Sequence, residues 1–556
     1  MKKTCKQCKA GFEFTEVERN ALDLVAFKVG ENKYDIPDFD ICYDCRQQKR
    51  LACRNEKTLY KRDCDKCHKN MVTVYDKGSA FPVYCQECFW GDGWNAMDYG
   101  MDFDFSRPFF EQFKELMNKV PRLAVINKQS ENSEYCNYSF ANKNCYLMFG
   151  SHYEEDCMYG RYSTKNRNCV DFLAMYNSEL CYECIFSKTC YKSVFLDHCE
   201  NCQDCYFSFD LKGCKNCIFS HGLRNKEYFI FNKEHSKQEY EDYVKKLKTG
   251  SYNQWKNLKD GWTKYKKENA IFKQHYQTNC ENCDGTDNEN SKNLINSSVC
   301  TNCEDCVNGF QMDETYSSVD NSHMGYDKCE ICCNCIGCSA TFHCLFCDSC
   351  WDDSELVYCN MCFSSRNSFG SIGLRHNDYC IFNKQCKKEE YEELLNKIIV
   401  HMQSDGEWGQ FFNYDIFPYG YNETVAMEYF PLSREKILER SWSWKEVKEE
   451  LVYEGYKLPD DLDEIDKSIC DKVLKCSVTG RPYKILKDEF DFYKKMNVPI
   501  PRHCPDQRHV DRHVLRSGIK TYNNKCDKCG DEMKTVFAPD KKEKVYCEKC
   551  YLKEVY

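Results

Sequence analysis

Two hydrophobic rhythms alternate along the chain. From Ser106 to Val120, apolar residues fall three and four apart, so that Phe109, Phe110, Phe113, Leu116 and Met117 share one face. That spacing predicts an amphipathic helix with Ser106 as its capping residue. Ser236 and Glu239 form a capping-box pattern ahead of Tyr240, Val244 and Leu247, with Gly250 as the stop. Glu389 to Met402 repeats the spacing through Tyr391, Leu394, Leu395, Ile398 and Met402, and Trp255, Leu258, Trp262 and Tyr265 predict a further helix. Helices are expected again at Ser433 and at Ser443, where Glu446 completes another box. Between them 403–432, with Gly406, Gly409, Pro418, Gly420 and Pro431, reads as an irregular linker.

The second rhythm is carried by cysteine. In the first middle stretch, cysteines stand at 136, 145, 157, 169, 181, 190, 199, 205 and 214, at intervals that are almost all 9 or 12. Aromatic or apolar residues often follow them, as in Cys145-Tyr-Leu, Cys205-Tyr-Phe and Cys217-Ile-Phe, with Asn, Asp, Glu and Lys between. Short apolar strands with polar turns predict a β-solenoid, in which a small hydrophobe such as Cys recurs at one inward position and stacks on the coil below. Cys335, Cys344, Cys347, Cys359 and Cys362 continue the pattern further on.

The chain is also duplicated. Gly222 to Leu247 aligns without a gap on Gly373 to Ile398, with 13 of 26 positions identical. Cys64 to Phe89 aligns on Cys526 to Tyr551 at an offset of 462, and Arg46, Arg50, Arg54 and Tyr60 fall on Arg508, Arg512, Arg516 and Tyr522 at the same offset. These repeats divide the chain into a zinc-ribbon module (1–50), a second ribbon with its preceding basic helix (51–95), a helical linker (96–129) and solenoid unit 1 with a capping helix (130–248). A helical connector (249–278), solenoid unit 2 with its helix (279–401), a linker with helices (402–469), a degenerate ribbon module (470–525) and a C-terminal ribbon (526–556) follow. The fold class expected is multidomain and mainly β with helical connectors, terminal zinc ribbons flanking two duplicated cysteine-rich β-solenoid units.

Composition narrows the chemistry. The 556 residues suffice for roughly three to five domains. Hydrophobic content of 42% excludes wholesale disorder, and a net charge of -10 excludes a uniformly basic nucleic-acid protein. No run approaches the ~18 apolar residues of a membrane span. Met1 to Ala10 (MKKTCKQCKA) leads into cysteines and not into an apolar export segment. The 45 cysteines therefore point to a reduced, cytoplasmic, metal-binding protein.

Cys64-x2-Cys67 and Cys85-x2-Cys88, 17 residues apart, have the spacing of a structural zinc site, and Cys526, Cys529, Cys547 and Cys550 repeat it. Four thiolates make a closed tetrahedral shell for Zn2+, which supports folding and leaves no open position for hydrolysis. Cys5-x2-Cys8 with Cys42-x2-Cys45 is a third candidate. Here CKQCKAGFEFTEVERNAL followed by ICYDCRQQKR resembles the bacterial family of probable zinc-ribbon domains over about residues 1 to 50. The resemblance implies that Cys5, Cys8, Cys42 and Cys45 are ligands. The whole chain also resembles large cysteine-rich proteins of uncultured small-genome bacteria, which implies architecture and no activity. The copy at 476–525 keeps Cys476 and Cys504 and loses both partners, so it reads as a metal-free relic.

For the middle sulfurs three alternatives stand beside a purely structural role. The triplets Cys199/Cys202/Cys205, Cys300/Cys303/Cys306 and Cys344/Cys347/Cys350 match half a ferredoxin ligand run. Further zinc between CxxC turns, with Cys280/Cys283 and Cys300/Cys303 first, is the second, and disulfides across coils are the third.

Residues 46–62 carry seven Lys/Arg and one Glu, and 502–525 carry six Lys/Arg and two Asp. Arg46, Lys49, Arg50, Arg54, Lys61, Arg62, Arg508, Arg512 and Arg516 are the candidate phosphate contacts to RNA or DNA; charge compensation beside zinc thiolates or a protein contact is the competing role. No phosphate-binding glycine loop, HExxH, GxSxG or dinucleotide fingerprint is present. His152, His198, His221, His323 and His343 are thinly spread and read as structural. The sequence thus favours a non-catalytic zinc protein with about three structural sites, recognising nucleic acid or a ribonucleoprotein. No small-molecule cofactor is evident. A protein-binding scaffold using the solenoid faces and a redox or iron–sulfur protein are the alternatives.

Overall fold

A computed structural model describes residues 1–325, 327–446 and 454–556. Its two middle stretches share one local geometry. In the first, every third residue has a left-handed backbone: Asn144, Leu147, Gly150, Tyr153, Asp156 and Tyr159 have φ between 51° and 59°. Two extended residues and one left-handed corner turn the chain by a quarter, and four such triplets close a coil of twelve residues. Asn and Asp tolerate these corners, whereas Leu, Tyr and Phe adopt them only because the surrounding ladder holds them there.

The ladder is parallel and regular. Strands from Asn127–Lys128 to Glu227–Ile230 form one sheet, ended by the antiparallel Lys233–Glu234. Its register steps by twelve residues throughout, as in Met158↔Val170, Val194↔Tyr206 and Cys217↔Phe229. Bridges on the other walls, such as Glu131↔Lys143 and Glu155↔Arg167, take the same step. The second stretch steps by twelve through Cys300↔Met312, Met312↔Met324 and Ser354↔Arg366, with fourteen-residue steps at Thr315↔Cys329 and Ser322↔Ile336.

The residue after each corner points inward, which explains the cysteines. Two N–H groups of each triplet bond between coils, as Tyr146 N–H to the Cys157 carbonyl at 3.1 Å and Asn144 N–H to that of Glu131 at 2.9 Å. The third belongs to the inward residue and needs an acceptor inside. The inward side chain one coil earlier supplies it: Ser133 Oγ accepts from Cys145 N–H at 3.0 Å, Asn288 Oδ1 from Cys300 N–H at 3.0 Å, and Cys169 Sγ from Cys181 N–H at 3.4 Å. Serine and cysteine also donate to the carbonyl two residues back, Ser187 Oγ at 2.8 Å and Cys190 Sγ at 3.4 Å. Small residues with a proton and a lone pair fill many of these places, with Met148, Phe172, Leu196 and Leu211 at others, and intervals of 9 and 12 are multiples of the three-residue side.

The two stretches lie face to face in opposite directions. Tyr138 meets Ser349, Tyr162 meets His323, and His198 meets Asp287, one number rising as the other falls. Each is packed by the terminal module furthest along the chain from it. One core joins Phe14–Ile126 residues to the second stretch and to Trp408–Ile437; the other joins the first stretch to Leu462–Cys550 residues.

The helices follow the apolar spacing. Phe109–Met117 buries the expected face, although its N-cap is Pro108 and Ser106 Oγ bonds Asp104 instead. Lys237–Lys245 carries the Ser236/Glu239 box, and Tyr252–Asn269 and Lys388–Ser404 match the remaining spacings. Gly250 precedes a new helix capped by Ser251. Ser433 caps Arg434–Glu439, and the helix expected from Ser443 runs outside the described residues. The segment 403–432 is irregular but is not a free linker: Trp408, Phe412, Phe417 and Tyr421 are buried in the core.

Candidate metal centres and the residues around them

Three cysteine quartets are assembled in the same way. A short antiparallel hairpin presents the first pair: Lys2–Thr4 with Gly11–Glu13, Tyr60–Asp63 with Asn70–Thr73, and Tyr522–Lys525 with Glu532–Thr535. A left-handed residue just past each pair, Lys9, His68 or Gly530, turns the chain back. The third cysteine is the N-cap of a helix in every case: Cys42 for Tyr43–Leu51, Cys85 for Gln86–Trp90 and Cys547 for Glu548–Val555. Within each quartet, Cys5/Cys8/Cys42/Cys45, Cys64/Cys67/Cys85/Cys88 and Cys526/Cys529/Cys547/Cys550, the sulfurs lie within 4.8 Å of one another and can hold a metal ion.

The backbone donates to the first sulfur of each quartet, which accepts the N–H of the third cysteine at 3.3 Å for Cys5, 3.3 Å for Cys64 and 3.2 Å for Cys526. Burial pushes the Cys526 thiol up, but the N–H groups of Cys529, Cys547 and Lys528 outweigh it and hold the group at about 6. Cys64 is held at about 7 by the same arrangement. In the degenerate module Cys476 and Cys504 face a hydroxyl, Thr479 Oγ1 lying 3.7 Å from Cys504 Sγ, and His503 is bonded to Asp511 at 2.6 Å.

Six of the nine expected phosphate contacts are turned inward. Arg46, Arg50, Arg54, Arg62, Arg508 and Arg512 are all buried. Arg46 bonds Asp320 at 2.7 Å and Glu18 at 2.9 Å, and Arg50 bonds Asn334 at 2.9 Å. Arg508 and Arg512 bond the two oxygens of Asp171 at 2.7 Å and 2.6 Å, and Glu489 lies 3.2 Å from Arg508. The duplicated arginines are thus two copies of one clamp, each holding a terminal module on a coil carboxylate. Arg54 pairs with Glu56 and lies over Tyr138, and Arg62 bonds Asp65. Lys49 bonds the Phe411 carbonyl, Arg516 lies over Tyr429, and Lys61 is exposed. Four-residue spacing put Arg46 and Arg50, and Arg508 and Arg512, on one helix face each; the coil carboxylates they meet, Asp320 and Asp171, are 274 and 337 residues from Arg46 and Arg508, beyond the reach of any local pattern.

Two features between the coil stretches were not evident from the sequence. His198 bonds Asp197 at 2.6 Å and Asp287 at 2.8 Å. Burial lowers its affinity for a proton, but the two carboxylates outweigh it and push the imidazole up to about 10, so His198 is a charged cross-link and not a base. Beside it opens a cleft of about 900 Å³ whose lining includes Phe140, Lys165, Tyr176, Asp313 and Trp351. The triplets Cys199/Cys202/Cys205, Cys300/Cys303/Cys306 and Cys344/Cys347/Cys350 lie on successive walls of single coils, with Cys199, Cys202 and Cys205 donating to separate carbonyls. His221 and His152 are pushed down to about 4 and about 3 by burial, His343 bonds Glu355, and His323 bonds Tyr162.

No protein-family model and no curated protein matches the chain. Among solved structures, the crystal structure of a "putative acetyltransferase" from Desulfovibrio desulfuricans G20 aligns at 7% identity over 44% of this chain and 63% of that one. Its TM-score of 0.10 carries no argument about fold or activity. The chain is a cysteine-rich, mainly β protein with three four-cysteine groups able to hold metal.

Proposed function

We propose that the chain is a zinc-dependent, non-catalytic scaffold, in which three zinc–thiolate modules hold two β-solenoid units face to face and the cleft between the units takes a polypeptide segment of a partner. The observation that carries this reading is the trio of quartets, each closed by four soft sulfurs and each built on a hairpin and a helix N-terminus. Such a shell suits Zn2+ and contributes folding energy directly. The cleft combines aromatic side chains with charges of both signs, Lys165 and Lys212 against Glu200 and Asp313, which suits a polypeptide better than a polyanion. The basic helices also support this choice, since their arginines are consumed by internal carboxylates.

Elemental analysis should give three zinc per chain. A photo-cross-linker at Lys165 in the cleft should capture a protein partner in high salt, and one at the exposed Lys549 should not. Retention on a nucleic-acid column that disappears with salt, together with no capture at Lys165, would sink the scaffold reading.

A further inference from the structure

Six successive positions of one inward column in the second coil stretch carry sulfur, between Asn288 below and Leu374 above. Cys300 is in register with Met312 and Met312 with Met324. The fourteen-residue step Ser322↔Ile336 brings Cys338 onto Met324, and the steps Ile336↔Asp348 and Asp348↔Asn360 place Cys350 and Cys362 above it. All six side chains are at most 3% exposed. The adjoining column adds Cys335, Cys347 and Cys359, three residues earlier in each coil and equally buried. Other columns mix chemistry freely: Ser291, Cys303, Thr315, Cys329 and Thr341 succeed one another on the next wall. Met312 and Met324 have no proton for their own carbonyls, as is also true of the inward Met148 and Met175 in the first stretch.

Three further observations bear on this column. Met312, Met324 and Cys338 are among the residues that line the cleft. Asp353, at an inward position between Thr341 and Ser365, accepts Ser365 N–H at 2.6 Å through one oxygen, while its Oδ2 is buried without a partner. Outside the same coils the buried Arg122 bonds Asn360, and its Nε and Nη2 have no acceptor. A buried guanidinium with two unpartnered nitrogens, acted on by Asp348 and by Cys362, therefore stands beside these coils.

The donors select the ligand. Among the described residues, sets of three or more donors within 4.8 Å occur only as the three terminal quartets, so the column offers sulfur in successive pairs. Zinc takes four ligands and calcium or magnesium takes oxygens, whereas thiolates and thioethers select Cu(I). We propose that the column is a Cu(I) site, filled from the cleft past Met324 and holding the ion between stacked thiolates of Cys338, Cys350 and Cys362. Each ion that joins two thiols breaks two S–H bonds, releases two protons to solvent and forms two S–Cu bonds. Copper stays monovalent, so no oxidant or reductant takes part. The bis-thiolate carries one negative charge, which Arg122 offsets.

The test uses the full zinc-loaded chain under anaerobic conditions, with Cu(I) supplied as its acetonitrile complex. Copper uptake without zinc release, and visible emission from water-shielded Cu(I) thiolate, are expected. Copper X-ray absorption should show a shell of two or three sulfurs. Cys350→Ser, chosen because serine fills equivalent inward positions, should weaken copper binding by about tenfold or more with zinc content unchanged. Met324→Leu should slow uptake and leave the final amount the same. Copper entering only as zinc leaves, a four-sulfur copper shell, or undiminished emission from a folded Cys350→Ser protein would each overturn the proposal. The first two outcomes are read on the unmutated chain, so they decide the matter even if the variant does not fold.

Discussion

Glu154 occupies an inward coil position, where its N–H bonds Asn142 and its carboxylate accepts from the backbone and side chain of Asn166. Burial dominates and pushes the carboxyl up to about 8 despite bonds from Ser163 and Asn166. The folded protein therefore keeps this proton up to about pH 8, while the unfolded chain loses it near the ordinary value of 4.5. Between those values the folded state binds more protons, so stability falls as pH rises and levels off above about 8, by an amount on the order of a few kcal/mol. Glu154→Gln, which mimics the protonated acid, should flatten that decline. Urea midpoints of both proteins at pH 5 and pH 8 check it; equal slopes would count against the buried-proton account.

At the scale of the element, the coil explains itself through its inward hydrogen bonds. Cys169 is the test position, because its sulfur accepts Cys181 N–H at 3.4 Å and donates to the Arg167 carbonyl at 3.2 Å. Cys169→Ser should cost less than about 1 kcal/mol, whereas Cys169→Val strands a buried N–H and should cost about 1–3 kcal/mol. Chemical denaturation separates these outcomes, and equal losses would show that volume alone decides. This element was partly legible in the sequence, since cysteine intervals of 9 and 12 already hold the three-residue side. The left-handed corners were not, because Tyr159 or Phe186 at a positive φ contradicts their own backbone preference and is imposed by neighbouring coils. The quartets were legible because metal-ligand spacing is local, as it is for Cys64 and Cys67. Arg46 and Arg508 misled because the composition of a helix does not reveal what covers it.

Over the whole molecule the two arginine clamps are the main long-range tie. Asp171 and Asp320 are both fully buried, and each answers two arginines. Removing one partner of such a cluster leaves an uncompensated charge, which costs about 3–5 kcal/mol. Asp171→Asn and Asp320→Asn should therefore destabilise the protein by similar amounts, and limited proteolysis should open a different coil stretch in each. Cleavage in the same place for both variants would show that the two halves unfold as one unit.

The crossed packing of modules has a consequence for synthesis. Arg508 is separated from Asp171 by 337 residues and Arg46 from Asp320 by 274. On a ribosome, the first coil stretch is made long before the module that clamps it, whereas the second meets a clamp that is already waiting. The earlier stretch must persist with an exposed flank while the intervening residues are made, and loss of the clamping module would release the part of the protein that was made first.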